Sequence, residues 1–205
     1  MDVAETVPKV IGVSAPAGGG KSTLVHALAA RLGDAAVILY DDYAAQATYP
    51  ADMGAWFAAG ADFNQWKMPQ LAAALAQLKT GRAVTNPVTG ALQAPGSTNF
   101  FEAPLGYAHE ATGKHIDFLV FIDTPPEVAL ARWLLSRLPE TGNGPAVLNG
   151  QPLPVRHLLQ LYLTQLRPLY QVQRDRVRSE ADLVLDGEQP VDVLAARVLA
   201  TIQSD

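Results

Sequence analysis

The segment Ala15-Pro16-Ala17-Gly18-Gly19-Gly20-Lys21-Ser22, followed by Thr23, carries the residue types that hold a polyphosphate. It fits Gly-x-x-x-x-Gly-Lys-Ser/Thr, except that Ala15 stands at the first glycine. Glycines let successive backbone N–H groups turn inward around phosphate oxygens, and the start of a following helix adds partial positive charge. On this reading Ala17, Gly18, Gly19, Gly20, Lys21, Ser22 and Thr23 surround the phosphates of a nucleotide. Lys21 reaches the β- and γ-phosphates, and the Ser22 hydroxyl ligates Mg²⁺. The competing explanation is a Gly-rich turn that merely precedes a lysine; the strand before it and helix after it weigh against that. Ala15 must fit a methyl group at the turn, a small expected strain.

Four carboxylates are candidates for the chemistry beside such a cradle. Asp41, Asp42, Glu102 and Asp123 each end a short apolar run, and ligands of parallel sheets gather at the carboxyl ends of strands. A carboxylate there takes a proton from an acceptor hydroxyl or holds Mg²⁺. Function is favoured for the Asp41-Asp42 pair, while Asp123-Thr124 before Pro125 serves equally well as a helix cap. All seven Lys or Arg residues from Arg132 to Arg178 are arginine, which suits bidentate phosphate contact. Arg132, Arg137 and Arg156 flank a polar Gly/Pro-rich stretch at 139–154, the pattern of a lid that closes over a nucleotide. A plain compositional preference for Arg on the surface is the alternative.

The elements that position these residues follow from periodicity. Val10 to Val13 and Ala35 to Tyr40 read as buried strands, with a helix at Lys21 to Leu32 between them and Gly33 as its cap. After an aromatic-rich stretch, Pro69 opens a helix with Leu71, Leu75 and Leu78 on one side. Val84 to Thr98 reads as turns. Strands are expected at Phe100-Phe101, Ile116 to Ile122 and Leu183 to Leu185. Helices are expected at Val128 to Leu138, Val155 to about Arg178, and Val191 to Ile202. Alternating strands and helices imply a parallel sheet covered on both faces, in one α/β domain spanning 1–205.

Taken together, Ile11-Gly12-Val13-Ser14 running into the cradle, Asp41-Asp42-Tyr43, Phe101-Glu102 and Phe121-Ile122-Asp123-Thr124 resemble the uridine kinase and phosphoribulokinase family, relatives of the nicotinamide riboside kinases. Tyr162 to Tyr170, with Arg167-Pro168, looks like that family's helix after the lid. The resemblance implies a P-loop NTPase fold: five parallel strands, helices on both faces and a small lid. It also implies ATP and Mg²⁺, with Asp41 as general base, Ser22 and Glu102 at the metal, and Arg132 near the triphosphate. Pro87-Val88-Thr89-Gly90 lacks the side chains with which uridine kinases hold the base, and Trp66-Lys67-Met68-Pro69 puts Lys67 where relatives carry an Asp. Lys67 either neutralises an anionic acceptor or is a surface lysine before a helix. Tyr43 and Trp66 fall in the same acceptor region. Trp56, Phe57, Phe63 and Trp66 either stack on a ligand ring or pack as core.

Composition narrows the remaining classes. The 205 residues are 49% hydrophobic and 17% charged with net charge −5, which argues against disorder and against nucleic-acid binding through bulk positive charge. There is no cysteine, hence no disulfide or Cys-ligated metal, and the four histidines show no zinc spacing. No apolar run approaches a membrane span and the first residues do not read as a secretory signal, so a cytoplasmic protein is expected. Homo-oligomerisation is left open. The expected activity is phosphoryl transfer from ATP to a hydroxyl of a small metabolite, nucleoside-type or anionic. A nucleotide-dependent switch or assembly ATPase, and a degenerate kinase-like nucleotide binder, are the alternatives.

Overall fold

The computed structural model describes residues 7–139, 146–148 and 151–203. Strand β1 (Lys9–Ser14) leads through the glycine-rich loop into helix α1 (Lys21–Leu32), and Gly33 N–H closes that helix on Ala29 O. Strand β2 (Val37–Ile38) is followed by a 3-10 turn at Asp41–Gln46, then α2 (Met53–Ala58) and α3 (Pro69–Lys79). A ribbon of β3 (Val84–Thr85) and β4 (Leu92–Gln93) precedes β5 (Thr98–Glu102), α4 (Glu110–Gly113) and β6 (Phe118–Asp123). Then come α5 (Pro126–Leu135), the hairpin β7 (Ala146–Leu148) and β8 (Gln151–Leu153), and α6 (Val155–Leu161). A π-helical turn at Tyr162–Leu166 joins α6 to α7 (Arg167–Glu180), and β9 (Leu183–Asp186) and α8 (Val191–Ile202) complete the chain.

The main sheet runs β2-β5-β1-β6-β9, and every pairing in it is parallel. Side chains alternate across it, as a pleated strand requires. Ile11, Val13, Phe100, Val120 and Ile122 face α1 and α8, against Leu24, Leu28, Leu194 and Val198. Val10, Phe101, Leu119 and Phe121 face the other way, against Leu71, Leu75 and Leu78 of α3 and Val177 of α7. The aromatics after β2 belong to this second core: Trp56, Phe63 and Trp66 lie with ring centroids 5.6 Å apart.

Three sequence expectations are corrected. The second strand is two residues long rather than Ala35 to Tyr40, because it sits at the sheet edge and pairs only at Val37 with Phe100 and Ile38 with Phe101. The turns of Val84 to Thr98 contain the antiparallel ribbon β3–β4. The stretch at 139–154 is not all loop, since Ala146–Leu148 pairs with Gln151–Leu153; the remainder of that expected lid, apart from Pro139 and Pro154, lies outside the described residues.

Candidate active site

The sheet register decides what meets the glycine-rich loop. Glu102 pairs with Val13, one residue before the end of β1, so its carboxylate lies beside the start of α1. Ser22 Oγ donates to Glu102 Oε1 at 3.2 Å, and Lys21 Nζ stands 3.7 Å from the same oxygen and 3.3 Å from Pro16 O. Burial holds the Lys21 ammonium below its ordinary value, opposed by the charges of Glu102 and Asp41. Burial likewise raises Glu102, opposed by Lys21. Each group is therefore short of counter-charge, a setting that rewards a polyanion at Lys21 and a cation at Glu102.

The loop backbone is built for close approach. Gly18 and Gly20 have φ of 76° and 96°, the left-handed region that disfavours a side chain. A Cβ on Gly18 would lie 2.1 Å from Ala129 O, and one on Gly19 would lie 2.6 Å from Ala15 Cβ. Ala15 itself is fully buried among Leu24, Leu28 and Ile122, and its φ is not positive. The methyl group therefore fits without the strain expected from the sequence, and it makes Gly19 necessary. Thr124 Oγ1 donates to Gly19 O at 3.0 Å and braces the loop from β6.

A cleft of about 710 Å³ opens over this loop. Ala17, Gly18, Gly19, Gly20, Lys21, Ser22 and Thr23 all line it, with Asp41, Glu102, Arg132 and Arg137. Its far wall is the segment Gly187 to Val191 before α8, which Arg132 joins by donating to Gly187 O at 3.1 Å. A second cavity of about 390 Å³ adjoins it, walled by Tyr40, Trp66, Tyr170 and Gln173. Ala17, Lys21, Asp41, Glu102, Trp133 and Arg137 line both. The Arg137 guanidinium lies 4.4 Å from the Trp133 ring centroid and donates to Trp133 O, which fixes a cation where the cavities meet.

Other expected site residues lie apart. Asp42 accepts from Asn86 Nδ2 at 2.6 Å and so anchors the β3–β4 ribbon, lining neither cavity. Tyr43 is 4% exposed in the core, because the 3-10 turn sends successive side chains to different sides. Lys67 is exposed, donates from Nζ to Asn64 O at 2.7 Å and lines neither cavity. Asp123 caps no helix: Arg174 and Arg178 donate to its two carboxylate oxygens at 2.8–3.0 Å. Sequence reasoning missed Gln173, Tyr170 and the Gly187 to Val191 wall.

The arrangement fits a nucleoside triphosphate and a hard cation. Bare backbone at Gly18 to Gly20 can approach phosphate oxygens, and Ser22 and Glu102 offer two oxygen donors at its edge. Among the described residues no group of three His, Cys, Asp or Glu could hold a metal, so phosphate oxygens and water must complete such a shell. No described helix is long and apolar enough to cross a membrane.

No protein-family model matches this chain, and no curated protein matches it. Solved structures do. A protein assigned as a fructose transport system kinase from Silicibacter sp. superposes with TM-score 0.53 at 16% identity, over 90% of this chain and 92% of that one. Shikimate kinase from Aquifex aeolicus gives 0.43 at 17% identity, over 95% and 96%. A protein assigned as a uridine kinase from Bacillus stearothermophilus gives 0.45 at 17%, over 90% and 92%. With the sheet order and the loop, the first of these establishes the α/β P-loop NTPase fold.

Proposed function

We propose that this chain is an ATP- and Mg²⁺-dependent phosphotransferase that moves a phosphoryl group onto a hydroxyl of a small metabolite. The observation that carries the reading is the wall shared by the phosphate cleft and the second cavity, which includes Lys21, Asp41, Glu102 and Arg137. A nucleotide in one cavity and an acceptor in the other meet only there. ATP supplies the phosphoryl group; Ser22 and Glu102 would hold Mg²⁺, which would supply positive charge against the phosphate oxygens. Asp41, exposed on the shared wall, accepts the proton of the acceptor hydroxyl as it attacks. Lys21 and Arg137 offset the negative charge that spreads over the transferring oxygens, and the amides of the loop hold the phosphates in line. Trp133 and Tyr170 close the apolar side against water.

Kinship with the uridine kinase and phosphoribulokinase circle is supported by the motifs and the fold, and action in the cytoplasm belongs to the same reading. Nucleoside-base recognition has no support from the 87–90 turn, whose Asn86 is spent on Asp42 and on the Val88 and Thr89 amides. The test is ADP release from Mg-ATP across a panel of alcohols, with Lys21→Ala and Asp41→Asn as controls. Both variants should lose acceptor-dependent release by a factor on the order of 100 or more. Near-normal release in Lys21→Ala sinks the proposal.

A further inference from the structure

Gln173 sits on the buried face of α7, 5% exposed, among Leu169 and Val177. Its amide nitrogen donates to Ala15 O at 3.3 Å and to Pro104 O at a shorter distance. Two carbonyl partners fix the orientation of the amide, because a flip would set oxygen against oxygen. Both N–H bonds are thereby used. The side-chain oxygen is not: among the described residues nothing donates to Gln173 Oε1, and Gln173 lines the second cavity. A nearly buried amide with one unpaired acceptor thus stands in the wall of the space where the phosphoryl acceptor is proposed to bind.

We infer that Gln173 Oε1 reads a second hydroxyl of the acceptor, which is therefore a small polyol. The inference rests on the kinase reading. In that cavity Asp41 is the acceptor for the hydroxyl that attacks, so a ligand that satisfies both Asp41 and Gln173 brings at least two hydrogen-bond donors, the attacking one an O–H and the other met most simply by a neighbouring hydroxyl. A carboxylate or phosphate facing Gln173 would set anion against carbonyl oxygen, at the cost of an unsatisfied buried polar group. Among the described residues Arg137 is the one basic residue lining the cavity besides Lys21, and it lies on the wall shared with the first cleft. Lys67, the cation expected to meet an anionic acceptor, is turned away onto Asn64.

The experiment compares acceptors and their monodeoxy forms. ADP release by wild type is measured with sugars, sugar alcohols, monohydric alcohols and sugar phosphates. The best polyol is then tested against each of its monodeoxy analogues in wild type and in Gln173→Met. One analogue should lose roughly tenfold in kcat/KM in wild type, mostly through KM. In Gln173→Met the parent polyol should fall to that level, the same analogue should lose nothing further, and the KM for ATP should not move. Equal deoxy penalties in wild type and variant, or a rise in the KM for ATP, would make Gln173 a strut for the loop and overturn the inference. So would turnover confined to acceptors with one hydroxyl. No acceptor-dependent release with any alcohol would remove the kinase reading itself, and the inference falls with it.

Discussion

Gly18 and Gly20 share a left-handed backbone but differ in surroundings, and that difference predicts unequal losses of stability on substitution to alanine. At Gly20 a Cβ meets nothing within 4 Å, so the cost is conformational strain of roughly 1–2 kcal/mol. About 0.4–1 kcal/mol of this is offset by the stiffer unfolded chain. At Gly18 the same strain applies, and the Cβ would also lie 2.1 Å from Ala129 O and 2.9 Å from Trp133 N, where real contacts do not fall under 3.0 Å. Both are backbone atoms of α5, so the loop and the helix have to separate, adding about 1–3 kcal/mol of overpacking. Gly18→Ala should therefore lose about 1–3 kcal/mol more in urea unfolding than Gly20→Ala, which itself should lose about 0–1.6 kcal/mol. Nucleotide binding by calorimetry should weaken in both. At position 20 a methyl group is added to the cleft wall, and at position 18 the arginine-bearing helix is displaced. Equal stability of the two variants would refute the assignment of α5 as the surface against which the loop is set.

Two further predictions concern pH. His109 is 1% exposed, bonded to Trp66 O at 2.9 Å and Thr112 Oγ1 at 2.8 Å, and burial lowers its pKa below 6.5. The unfolded chain then takes up the proton first, so stability should be full above pH 6.5 and decline below it. Urea unfolding of His109→Asn between pH 8 and 5 should show a flatter profile and a loss of about 1–3 kcal/mol at neutral pH; an unchanged profile contradicts the argument. For Asp123, burial alone would raise the pKa, but the hydrogen bonds from Arg174 and Arg178 together hold it below 3.8. Its contribution is thus present above pH 3.8 and lost as pH falls through the lowered value. Asp123→Asn should cost about 1 kcal/mol or less at pH 7 and nothing in strong acid, read from thermal unfolding across pH.

The glycine-rich loop was legible because its glycines are there for backbone reasons that composition displays, close approach and positive φ, and because Lys21 and Ser22 follow them directly at the start of a helix. Helices α1 and α3 were legible because their leucines recur at helical spacing and end on Gly33 and on Thr80-Gly81. Strand β2 was overestimated because an apolar run shows burial, not how many partners a strand has, and this one sits at an edge. The Asp41-Asp42 pair could not be divided from sequence, because which carboxylate faces the cleft depends on the phase of a 3-10 turn. Ala15 was misjudged as strained, since the pattern says nothing of the pocket its methyl group fills. Gln173 left a signal that went unused. It stands four residues from both Leu169 and Val177, a polar side chain on an otherwise apolar stripe, and such a residue must find partners inside.

Two cavities with a common wall cannot hold their ligands independently. Lys21, Asp41, Glu102 and Arg137 each have one charge to offer, and whatever engages them from one side changes the field felt on the other. On the proposed function, occupancy of the second cavity therefore alters nucleotide affinity by some factor, and thermodynamic reciprocity demands that nucleotide alter acceptor affinity by the same factor. The two dissociation constants of such a kinase are in that sense properties of the pair of ligands rather than of either alone.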